Sequence, residues 1–119
     1  MKRIADAGGA VAHNPLSNLR LGSGLAAVRD MLDCGLAVGI GTDAANTSDT
    51  QNMFEAARLA SYLSRIRGPV YREWLTAAEA FPLATAGSAR VLGFGGELGA
   101  IAPNAFADLV FLDLAHINY

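Results

Sequence analysis

The chain has 119 residues, 52% of them hydrophobic and 17% charged, with a formal net charge of −2, which is the size and make-up of one small globular domain. That near-neutral, acidic balance gives no electrostatic basis for binding nucleic acid or an anionic membrane, and the nearest basic grouping, Arg65, Arg67 and Arg72, reads as a solvated helix end. The one cysteine, Cys34, excludes an internal disulfide and a cysteine-based metal cluster.

In chain order, Met1 to Ala7 reads as the last turns of a helix closed by Gly8-Gly9. Ala10-Val11-Ala12 is a very short buried strand leading into His13-Asn14-Pro15, where proline forces a turn. Leu16 to Gly22 is expected to be a loop. Ser23 is an expected N-cap for a helix from Gly24 to Asp33, whose apolar face holds Leu25, Val28, Met31 and Leu32. Cys34 sits at its end as a small buried hydrophobe, and Gly35 stops it.

Leu36 to Asp49 is the stretch with chemical promise. A brief apolar run passes through Gly39 and Gly41 and delivers Thr42-Asp43 into a loop of small polar residues, the pattern of a buried parallel strand. A carboxylate at the C-terminal end of such a strand stands where α/β sheets and barrels gather their chemistry. Asp43 is therefore the leading catalytic candidate.

Asp49 or Thr50 is expected to cap a helix reaching about Arg67, with Glu55 and Arg58 spaced to pair and Gly68-Pro69 as its stop. Val70 to Leu75 reads as a connecting turn whose aromatics, Tyr71 and Trp74, pack down. Thr76 to Glu79 is a capping box. Pro82 should bend the helix that follows, and Ser88 to Leu92 forms a further helical turn closed at Gly93. Asp108 to Asp113 reads as a strand, and His116 as a surface residue. No apolar run approaches the roughly 20 residues that span a bilayer. The N-terminus lacks a signal peptide's apolar core, so a cytoplasmic location is expected.

The alternation is that of a parallel α/β fold, yet two strands do not close a sheet, and a full βα barrel needs roughly 250 residues. His13-Asn14-Pro15-Leu16-Ser17-Asn18-Leu19-Arg20-Leu21-Gly22-Ser23-Gly24, then Gly41-Thr42-Asp43, then Asn52-Met53-Phe54 through Ala60 resemble the amidohydrolase superfamily. The branch is that of S-adenosylhomocysteine and methylthioadenosine deaminases, guanine-type deaminases and triazine chlorohydrolases. Gly99 to Pro103 and Ala107 to Val110 resemble the segment where that family's chain leaves its barrel for a small β-sandwich.

The resemblance implies the C-terminal portion of a TIM (β/α)8 barrel, the last two strands and their helices over residues 1–94, followed by a return segment toward a β-sandwich over 95–119. It implies that Asp43 holds one divalent metal ion, zinc or iron, and exchanges a proton with the attacking water. It also implies hydrolytic deamination of an amino-substituted purine, pyrimidine or triazine. Triazine dechlorination is the nearest competing reaction.

His13, Asn14, Asn18 and Asn46 are the candidate substrate-binding residues, with Asn14, Ser17 and Asn18 favoured as residues that pin the loop through local backbone bonds. The family's remaining histidines have no counterpart here. The chain alone is therefore expected to bind no catalytic metal and to be inactive. It is expected to associate with itself or with a missing N-terminal barrel portion, since strand edges would otherwise lie bare. The alternative is a non-catalytic, self-associating module.

Overall fold

The computed structural model describes residues 1–115. Its centre is a pair of parallel strands, β1 (Ala10–His13) and β2 (Ala37–Ile40), aligned so that Ala10 faces Ala37 and His13 faces Ile40. Helix α1 (Lys2–Asp6) precedes β1. Between the strands run α2 (Pro15–Leu21) and α3 (Val28–Asp33). This is the crossover that parallel pairing demands.

Helix α2 replaces the loop expected at Leu16 to Gly22. Pro15 takes the first helical position, where its fixed φ suits the helix and its missing N–H costs nothing, and Gly22 closes the helix at φ 64°. The same proline that ends β1 thus starts a helix. Ser23 does not cap α3, which begins only at Val28 after Ala27. Gly24 at φ 89° breaks the helical path, and Leu25 is left half exposed.

After β2 come α4 (Ala45–Ser48), a single turn within the expected loop, and α5 (Met53–Ser64). The cap of α5 is Asn52, not Asp49 or Thr50. Asn52 has extended backbone, and its Oδ1 accepts the N–H groups of Phe54 (3.0 Å) and Glu55 (3.2 Å). Asp49, at φ 61° and ψ −38°, lacks the extended backbone that an N-cap needs. A 3-10 turn, Arg65–Arg67, carries the chain to Gly68.

Core residues come from β2, three helices and the segment before α6: Val28, Val38, Ile40, Ala56, Ala60, Leu75 and Ala80. Leu75 is 1% exposed, and its backbone is satisfied by two serines of α5. Ser61 Oγ donates to its carbonyl (2.7 Å), and its N–H donates to Ser64 Oγ (2.8 Å). Buried backbone groups need such partners. In the preceding turn Trp74 packs under Arg65 and donates Nε1–H to Gly68 O, whereas Tyr71 remains largely exposed, against expectation.

The capping box of α6 (Ala77–Pro82) forms as expected: Glu79 N–H reaches Thr76 Oγ1 and Thr76 N–H reaches Glu79 Oε2. Arg29 of α3, mostly buried, donates to Glu79 Oε1 at 2.6 Å and so ties the crossover to α6. Pro82 closes α6, and the next five residues, Leu83–Gly87, form a π turn that runs into α7 (Ser88–Val91). A proline has no N–H to continue the α pattern, and the outcome is a change of helical register.

That change brings Ser88 to the outer edge of β2. Its Oγ accepts from Ile40 N–H (3.2 Å) and donates to Ile40 O (2.7 Å). The outer edge of β2 is thus met at Ile40 by a hydroxyl, while β1 pairs with β2 alone among the described residues. The approach is close: a Cβ on Gly39 would sit 2.7 Å from Ser88 Cα.

Asp108 to Asp113 forms no strand; no ladder partner for it exists among the described residues, and Val110 and Phe111 are 81% and 88% exposed. His116 lies outside the described residues. Among the described residues no helix is long and apolar enough to cross a membrane.

Gly39→Ala is expected to destabilise the chain by about 1–3 kcal/mol through overpacking against backbone. The check is a urea titration, in which the midpoint falls at an unchanged slope.

Candidate functional site

Parallel pairing brings the segments that follow β1 and β2 to the same end of the sheet. One carries Asn14 into α2; the other carries Gly41-Thr42-Asp43 into α4. They meet closely, since Gly41 N–H donates to His13 O at 2.9 Å, and a Cβ on Gly41 would fall 2.5 Å from Asn14 Oδ1. A larger residue at 41 would displace the Asn14 amide from this position.

Asp43 sits at φ 62°, a left-handed conformation that Asp tolerates better than most residues. Its Oδ1 accepts Ala44 N–H (2.8 Å), and its Oδ2 accepts the hydroxyl of Ser17 (2.7 Å). Ser17 is buried, while Asp43 is exposed. The Ser17 hydrogen bond first, then that of Ala44, hold the Asp43 carboxyl below its ordinary value. The group is therefore ionised at neutral pH. Each oxygen has one donor, which leaves acceptor capacity on both.

Ser17 is the residue whose partner sequence reasoning missed. Read as a loop residue pinning its own backbone, it instead sits in the first turn of α2 and reaches 26 residues along the chain. The available signal was Pro15, which starts a helix and so places Ser17 in its first turn.

The other candidates do not all converge. Asn14 stands beside Gly41 at the shared strand end. Asn46 is exposed on α4. His13 and Asn18 line a narrow pocket with Val28, Ala60 and Ser64, among the helices that cover the sheet. His13 is 4% exposed, its Nδ1 has no hydrogen-bond partner, and burial pushes its pKa below the ordinary value, which keeps the ring neutral. These are properties of a core residue.

The donor set bears on a metal ion. An ionised, exposed carboxylate with free acceptor capacity suits a divalent cation, so Asp43 fits as one ligand. Among the described residues no group of three His, Cys, Asp or Glu side chains is arranged to hold a metal, and catalytic zinc takes about three protein ligands.

Parallel strands joined by a helical crossover, with a carboxylate at the C-terminal strand end, define a mixed α/β unit of the kind that gathers its chemistry at that end of the sheet. The chain belongs to the amidohydrolase family, whose model matches residues 1–119. It is 45% identical over 112 residues to the 5-methylthioadenosine/S-adenosylhomocysteine deaminase of Acetivibrio thermocellus, covering 93% of this chain and 26% of that protein. It is 36% identical over 119 residues to the 8-oxoguanine deaminase of Pseudomonas aeruginosa, covering 100% of this chain and 26% of that protein. The fold is similar to the atrazine chlorohydrolase of Arthrobacter aurescens solved with zinc, with a TM-score of 0.83 and 39% identity over 89% of this chain and 23% of that one. The chain thus spans about a quarter of the length of the relatives it matches.

Because its folded pKa is depressed, the Asp43 carboxylate contributes stability that is present above the ordinary carboxylate value and is lost as pH falls through the folded one. Ser17→Ala should move the Asp43 titration, followed by carboxyl-carbon NMR, upward toward the ordinary value. An unmoved midpoint would assign the depression to the Ala44 amide and the Thr47 hydroxyl.

Proposed function

We propose that the protein carrying this chain is a metal-dependent hydrolase of non-peptide C–N bonds, which deaminates an amino-substituted purine, pyrimidine or triazine ring. The observation that carries the reading is Asp43: ionised, exposed, and held by Ser17 and Ala44 with acceptor capacity to spare. Similarity to purine deaminases and to a chlorohydrolase solved with zinc supports the reaction class and the ion.

In this reading residues 1–94 supply the last two strands of a βα barrel with their helices, and 95–119 lead toward a small sandwich. Asp43 contributes one ligand to a single divalent ion, zinc or iron, and the other ligands come from elsewhere in the full-length protein or from a partner copy. The ion, when bound, lowers the pKa of water toward 7. Asp43 takes a proton from the attacking water and passes it to the departing amine, general acid–base work worth roughly 10²–10⁴-fold. The Ser17 hydroxyl and the Ala44 amide, one on each oxygen, fix the orientation of the carboxylate. Asn14 and Asn46 line the approach as candidate substrate contacts. A non-catalytic, self-associating module is the less favoured reading, given that the relatives named above are hydrolytic enzymes.

In the full-length protein Asp43→Asn is expected to lower kcat for ammonia release from aminopurines by about 10²–10⁴-fold. Retained activity would overturn the reading, and chloride release from a chlorinated triazine in place of ammonia would reassign the substrate. The chelator-stripped 119-residue chain, resupplied with zinc, should take up no tight equivalent; one equivalent per chain would show a complete site within it.

A further inference from the structure

The loop that carries Asp43 is bracketed by two residues of the same kind. Asp43 at φ 62° and Asp49 at φ 61° are non-glycine residues in the left-handed half of backbone space, a conformation that costs free energy unless its surroundings impose it. Between them lies only α4, a single turn, too short to hold itself. Both carboxylates bond to the same helix. Ser17 of α2 donates to Asp43, and Arg20, three residues further along α2, pairs with Asp49. Residues three apart share a helix face, so one face of α2 grips the loop at both ends. The rest of the turn has mainly local ties, with Thr47 Oγ1 and Ser48 Oγ donating to Ala44 O and Ser48 Oγ also to Thr50 O.

We infer that Arg20 and Asp49 are positioning residues that hold the Asp43-bearing loop against α2 and so set the placement of Asp43 and Asn46 toward substrate. The inference rests on the reading of Asp43 as catalytic. Both side chains are substantially exposed, where an ion pair adds little to global stability. What the pair supplies is a fixed end for a turn that has no other ion pair among the described residues. A shift of about 1 Å at reacting groups can cost as much as 10²-fold, so a loosened loop affects rate before it affects folding.

The test uses the full-length protein with Arg20→Ala, Asp49→Ala, the double variant, and the exchanged pair Arg20→Asp with Asp49→Arg. Each single variant should lower kcat by roughly 5–30-fold with a smaller change in KM and an unchanged urea midpoint. The double variant should be no worse than either single one, and the exchanged pair should recover part of the loss. Amide hydrogen exchange at Ala45–Ser48 should accelerate in the single variants, a readout independent of activity.

Wild-type kcat together with unchanged exchange would overturn the inference, as would additive losses without recovery by the exchanged pair. Asp43→Asn in parallel separates the two readings. If that variant retains activity, the catalytic assignment fails, while faster exchange in the Arg20 and Asp49 variants would still establish the clamp as structural only.

Discussion

Four rungs of parallel pairing between β1 and β2 are the constraint on which the site depends. With His13 level with Ile40, the two strand ends stop side by side, and whatever each delivers must share the same few ångströms. One end delivers Asn14 and α2, the other Gly41 and the Asp43 loop. A slip of one residue in that register would turn every side chain of the strand to the opposite face. It would also part Asn14 from Gly41 and Ser17 from Asp43.

The register is held from the outside. Val38 and Ile40 lie in the apolar core with α3, α5 and α6, and the outer edge of β2 meets Ser88 at Ile40. Ser88 is the first residue after the π turn that follows Pro82. The covering structure is polar where it meets backbone and apolar where it meets side chains. Ser61 and Ser64 on Leu75 follow the same logic, as does Arg29 where it donates to the Trp74 carbonyl.

At the site end, α2 does two kinds of work from adjacent positions. Its first turn contributes a buried hydroxyl to Asp43, and its last turn contributes Arg20 to Asp49. The carboxylate is kept ionised by hydrogen bonds in a place open to solvent, without a buried counter-charge. A group so arranged can bind a cation or exchange a proton at neutral pH. That is the physical content of the hydrolase reading.

The sequence by itself determined the elements whose signals are local: both strands, the Thr76–Glu79 box, the Gly68-Pro69 stop, and Asp43 as the carboxylate at the end of β2. Family membership was also legible there, because the His13-to-Gly24 and Gly41-to-Asp43 segments keep their order and spacing. What only the tertiary structure decided were partners distant in the chain. Ser17 finds Asp43, Arg20 finds Asp49, and Ser88 finds Ile40, each across more than 25 residues. A side chain's partner over that distance depends on how whole elements pack, and no local pattern encodes it. The misplaced boundaries have the same origin. Asn52 caps α5 because it has the extended backbone that Asp49 lacks, and Asp108 to Asp113 stays unpaired because a strand signal specifies alternation but cannot supply the neighbour that makes a strand.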